Sequence, residues 1–155
     1  MTKIAIQTAD FDVSTELTEL RAAHRDVGAI VSFVGTVREM DSGAGKQTEQ
    51  TEHMELEHYP GMTEKSLENI VQHAARRWEI KDVVVIHRIG VLPAAAQIVL
   101  VAVAGQHRGT AFEACEFIMD YLKTEAPFWK KEVSEKGAHW VDARVTDLSA
   151  LKKWQ

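Results

Sequence analysis

The stretch DYLKTEAPFWKKE, residues 120–132, threads Lys123, Lys130 and Lys131 through a proline and two large aromatics. An ammonium group beside aromatic walls loses solvation, which suits it to acid–base work or to attack on a carbonyl. Lys123 falls in the last turn of a predicted helix, where the dipole alone would also account for a cation. Pro127 stops that helix and pushes the preceding residue toward extended geometry. Beyond it, period-two alternation puts Phe128, Lys130 and Glu132 on one face and Trp129, Lys131 and Val133 on the other. The two adjacent lysines therefore have different surroundings, while Lys123 and Lys130, joined by a proline turn, can reach one pocket.

Other cations are candidates for the same pocket. In GQHRGTAFE, His107, Arg108 and Gly109 lie between a strand's end and a helix's first turn, where free N–H groups and the dipole favour an anion and arginine adds a bidentate donor. An exposed connection explains the pair equally well. Arg38 closes an apolar strand beside a polar loop, so it either points into a cleft or snorkels to solvent. His87-Arg88 in IHRIG has no helix start after it and reads as structural. GAGK, residues 43–46, lacks the phosphate-loop pattern, because Met40 and Gln47 stand where glycine and a hydroxyl residue are needed. The seven histidines are scattered and one cysteine forms no pair, so neither a metal ligand set nor an internal disulfide can be assembled. Cys115 sits on an apolar helical stripe, the setting of a packed thiol.

The elements that must position these groups follow from periodicity. KIAIQT alternates as a strand; Ser14 opens a helix with Leu17, Leu20 and Ala23 at helical spacing. GAIVSFVGTV, residues 28–37, is apolar on both faces, as a central strand would be. Residues 39–52 read as a mobile polar loop. HMELEHY resumes a strand, PGM breaks it, and Thr63 caps a helix running to about Trp78. DVVVIHRIG and AQIVLVAVAG are two more strands around a turn at Pro93. Thr110 starts a second strong helix, with Glu113 placed as in a capping box. FWKKEV and HWVDARV form a hairpin about SEKGA, and LSALKKWQ reads as a tail. Interleaved helices with several adjacent strands favour a two-layer α+β fold.

Composition bounds the rest. With 155 residues, 45% of them hydrophobic, the chain supports one domain with a real core. Eighteen basic against 23 acidic residues, net charge −5, argue against nucleic acid as a partner, so any anion site is local. No apolar run reaches the roughly 20 residues of a membrane helix, no signal peptide is evident, and the cytoplasm is the expected address.

LEHYPGMTEK, VIHRIG, HRGTAFEACEFIMDYLKTEAPFWKKE and WVDAR, taken together and in order, resemble the large, catalytic subunit of molybdopterin synthase. The resemblance implies an α/β hammerhead-type fold with a small added antiparallel β subdomain, here one domain over 1–146 with a tail over 147–155. It implies sulfur transfer to cyclic pyranopterin monophosphate (precursor Z) without a resident cofactor or metal. The sulfur comes from the C-terminal Gly-Gly thiocarboxylate of a small ubiquitin-like carrier subunit. It also implies a central dimer of large subunits within a heterotetramer. Position by position, Lys123 and Lys130 match the family's pocket lysines and are the candidate catalytic residues. Thr36, Val37, Arg38, His107, Arg108, Lys131, Glu132 and, more weakly, Arg144 join them as candidate substrate contacts. The rival expectation is a non-catalytic module that holds an anion or a carrier tail without turnover.

Overall fold

The computed structural model describes residues 2–38, 53–134, 137–140 and 145–155. Two four-stranded sheets carry the chain. Strands β1 (Thr2–Gln7), β2 (Ala29–Thr36), β4 (Ile80–Arg88) and β6 (Gln97–Gly105) form the first, in the order β1-β4-β6-β2. The second contains β3 (His53–His58), β5 (Gly90–Pro93), β7 (Phe128–Ser134) and β8 (Gly137–Trp140), in the order β5-β3-β7-β8. The α+β expectation with an added antiparallel unit is met by this second sheet, whose pairings are all antiparallel.

Helices α2 (Met62–Arg77) and α3 (Arg108–Glu125) cover one face of the first sheet. Leu67, Ile70, Val71 and Ala74 from α2 and Ala114, Phe117, Ile118 and Leu122 from α3 pack on Val83, Val85, Val99, Val101 and Val103. The opposite face holds Val84, Ile86, Leu100, Ala102 and Ala104 under α1 (Val13–Ala23), through Phe11, Leu17 and Leu20. Because β4 and β6 are apolar toward both faces, they take the centre.

β2 does not. Its apolar residues suggest a central strand, yet it pairs only with β6 and forms an edge, with Phe33 40% exposed. Both faces of an edge strand can be apolar when a helix covers one of them, so the pattern does not fix the number of neighbours.

Helix starts also differ from expectation by a residue or two. Asp12, not Ser14, caps α1, accepting from Thr15 N at 2.9 Å. Gly61, at φ 85°, stands as the N-cap of α2 in place of Thr63, and Glu64 accepts from its N–H at 3.2 Å. α3 starts at Arg108 with His107 as its N-cap, and Glu113, free of any capping role, accepts from Trp78 Nε1 at 2.9 Å. Between β4 and β5 the chain leaves one sheet for the other at Gly90, whose φ of 93 is costly for any residue with a Cβ.

The segment read as a tail is ordered into α4 (Val145–Ala150) and a 3-10 turn, Leu151–Trp154. Trp154 is buried, meets Trp78 and Phe117 edge-on, donates from Nε1 to Asp120 at 2.7 Å and gives its carbonyl to Arg77 Nη1 at 2.9 Å. Residues 39–52, the segment read as a loop, and Arg144 lie outside the described residues.

Candidate active site

α3 determines where the candidate cations stand. It folds back over β6, so its first residue lies where β6 ends and its last turn lies where β6 begins. At 1.5 Å per residue, Arg108 and Lys123 are about 22 Å apart along one helix. That exceeds two Debye lengths at physiological salt, so neither charge influences the other appreciably. A single chain thus has two separate basic ends. His107 and Arg108, both exposed, occupy one; Thr110 Oγ donates to the His107 carbonyl at 3.1 Å and orders the first turn.

Arg38 belongs with Lys123. Thr36 pairs with Gln97 at the start of β6, and Val37 follows with its N–H on Ala96 O (2.9 Å) and its carbonyl accepting from Ala95 N (2.7 Å). The Val37 side chain is buried against Met54, Leu56 and Leu92. Both its backbone and its side chain are therefore used in fixing where Arg38 leaves the sheet. Arg38 itself is exposed.

The turn from α3 into β7 is clamped. Ala126 is already extended (φ −77, ψ 124), as a residue before proline must be, and Phe128 N bonds Ala126 O at 3.0 Å. Thr63, fully buried, donates from Oγ to the Pro127 carbonyl at 2.8 Å and accepts from Tyr59 N at 3.0 Å. Its hydroxyl joins the β3–α2 corner to the turn between the two lysines, a role that a reading as helix cap does not anticipate.

β7 then places its side chains by alternation. In its register with β3, Phe128 faces His58 and Lys130 faces Leu56, next to Met54 on the same face of β3. Met54 and Leu56 are buried, so this is the inner face. The other face carries Trp129, packed on Tyr59 with ring centroids 5.2 Å apart, and Lys131, whose Nζ lies 3.5 Å from Glu55 Oε2. Lys131 is turned away from the face that holds Lys130.

His87, near the end of β4, lies under this turn. Its ring stacks on Phe128 at 3.7 Å with 17° between planes, and it is only 5% exposed. Burial lowers its pKa from 6.5 to about 4, and the charges of Lys123 and His58 push the same way against a backbone hydrogen bond to Arg88. The imidazole is neutral at pH 7. Since Nδ1 lies 2.8 Å from the Arg88 carbonyl, which can only accept, Nδ1 carries the hydrogen and Nε2 the lone pair. Arg88 is structural, donating to the carbonyls of Thr8 (3.2 Å) and Gln97 (3.0 Å). Cys115 is buried and its thiol pushed up to about 12, which removes it as a nucleophile. No group of three or more potential metal ligands occurs among the described residues.

The seam where α3 passes into β7 carries Lys123 on one side and Lys130 on the other, and α3 has a basic residue at each end. The family of MoaE proteins matches residues 6–125, and the chain belongs to that family. The molybdopterin synthase catalytic subunit of Ralstonia nicotianae is 59% identical over 154 residues, spanning 99% of this chain and 85% of that protein. Among solved structures, the molybdopterin biosynthesis MoaE protein of Burkholderia ambifaria is 54% identical at a TM-score of 0.83, covering 99% of this chain and 98% of its own. Molybdopterin synthase of Staphylococcus aureus is 32% identical at a TM-score of 0.77, over 88% and 95%.

Proposed function

We propose that this chain is a catalytic subunit of molybdopterin synthase, a sulfurtransferase of molybdenum cofactor biosynthesis. It moves sulfur from the thiocarboxylated C-terminal glycine of a small ubiquitin-like carrier subunit to precursor Z. The observation that carries the reading is the clamped turn at Pro127, which sets Lys123 and the inner-face Lys130 about one seam, within a chain 59% identical to a molybdopterin synthase catalytic subunit. The sulfur travels on the carrier, which fits a chain whose one cysteine is buried and protonated. Lys123 polarises the thiocarboxylate or protonates the group that leaves, and Lys130 stabilises the charge that develops beside it.

His107 and Arg108 are suited to the precursor's phosphate through the free N–H groups at the start of α3. Standing about 22 Å from Lys123 along the helix, they serve the same substrate only if a second copy of the chain brings its α3 start to the first copy's seam. A two-fold dimer does this twice over. The composite site is therefore the structural reason for the central dimer and, with one carrier on each large subunit, for a heterotetramer.

The decisive experiment combines purified chain, thiocarboxylated carrier and precursor Z, with product measured after oxidation to a fluorescent pterin. Lys123→Ala is expected to lower turnover by at least about 100-fold while carrier binding, read by size-exclusion chromatography, is kept. Wild-type chain that binds the carrier and makes no product would favour a scaffold.

A further inference from the structure

His87 is a buried polar group that the roles above leave unused, and its geometry is informative. Phe128 covers one ring face, and the Arg88 carbonyl holds Nδ1–H. Among the described residues no donor reaches Nε2, although buried acceptors nearly always have a partner. The cations close to it narrow the choice. Arg88, next to it on β4, is committed to the carbonyls of Thr8 and Gln97. His58 on β3 has Glu64 at 3.7 Å, and Lys130 on β7 already has a partner. His87 shares by alternation the face of β4 on which Val83 and Val85 meet α3, and Lys123 stands in the last turn of α3, five residues before the Phe128 that covers the His87 ring; this lysine has neither hydrogen bond nor ion pair among the described residues, and its ammonium can only donate.

We propose that His87 is a positioning residue for Lys123: in the loaded site its Nε2 lone pair receives the Lys123 ammonium and aims that group at the reacting atoms. The stack on Phe128 ties the acceptor to the turn between Lys123 and Lys130, so the imidazole is held in a fixed position relative to the backbone of both lysines. Lysine is long and has many rotamers, and an exposed one at a helix end gains accuracy from a fixed acceptor. Only a neutral imidazole can do this, since a protonated ring would repel the ammonium it has to hold. The inference rests on the reading of Lys123 as the catalytic group.

Two substitutions separate the ring's nitrogens. His87→Asn keeps a polar atom near Nδ1 and loses the acceptor near Nε2; His87→Gln does the reverse. With carrier-bound enzyme, His87→Asn is expected to lower kcat by at least about tenfold with KM for precursor Z changed less than about threefold, and His87→Gln to recover most of the loss. Equal kcat in the two variants would overturn the proposal. Should either variant fail to fold, 15N spectra of the histidine ring in wild-type and Lys123→Ala complexes give an answer without substituting His87. The Nε2 resonance is expected to move and Nδ1 to stay, and an unmoved Nε2 would sink the contact. Normal turnover by Lys123→Ala would instead remove the catalytic reading while leaving the spectral comparison to test the contact itself.

Discussion

Two adjacent lysines on one strand have opposite fates, and the difference is measurable. Lys130 shares the inner face with Phe128 and the buried Leu56, whereas Lys131 lies on the other face beside Glu55. Lys130→Ala is expected to cut turnover by about 10- to 100-fold and Lys131→Ala by less than about threefold, in the same fluorescent-pterin assay. This separation is legible in the sequence because strand alternation has a period of two and Pro127 fixes where it starts. His87 is not legible in that way. IHRIG shows a histidine at a strand end; what matters is Phe128, on a distant strand, lying flat on its ring. The buried imidazole also leaves a signature in stability. Its folded pKa of about 4 lies below the ordinary 6.5, so the unfolded chain binds the extra proton. The contribution of this one group to stability is complete above about pH 6.5 and is lost as pH drops toward 4, by up to about 3 kcal/mol, then levels off. Urea titrations at several pH values are expected to show this slope reduced in His87→Phe, which keeps a flat ring and cannot be protonated.

At the scale of elements, the site depends on joints more than on strands and helices themselves. Apolar spacing announces α2, α3, β4 and β6, because burial on a defined face leaves a periodic trace. The joints leave none. Thr63 binds the carbonyl of Pro127 across 64 residues of sequence, and a threonine near a helix start is read locally as a cap. For the same reason the buried Trp154 passes for part of a tail: its partners Trp78, Phe117 and Asp120 come from α3 and the end of α2. Thr63→Val removes the hydroxyl at nearly constant volume and leaves the Tyr59 N–H and Pro127 C=O without their partner. The expected loss is about 1–3 kcal/mol in chemical denaturation, with turnover reduced as the turn between the lysines loosens. Unchanged stability would mean that water or a neighbouring group replaces the hydroxyl.

For the whole molecule, the separation of basic ends along α3 predicts that mutant chains rescue each other. Lys123→Ala and Arg108→Ala are each expected to be nearly inactive alone. Mixed under conditions that exchange subunits, half the dimers carry one of each, and one of their two sites is intact, giving about a quarter of wild-type activity. No recovery on mixing, with exchange verified, would place both groups' work within one chain. The fold class and most elements can be read from the sequence, but this division cannot, since one linear motif contains both His107 and Lys123 while the helix between them holds them apart. α3 is in this sense a ruler. Removing one residue from its interior would turn Lys123 by about 100° and draw it back by about 1.5 Å, spoiling aim and reach together. Length variation among homologous chains should therefore accumulate in loops and termini, and the 14 positions between Arg108 and Lys123 should keep their number even where their identities change.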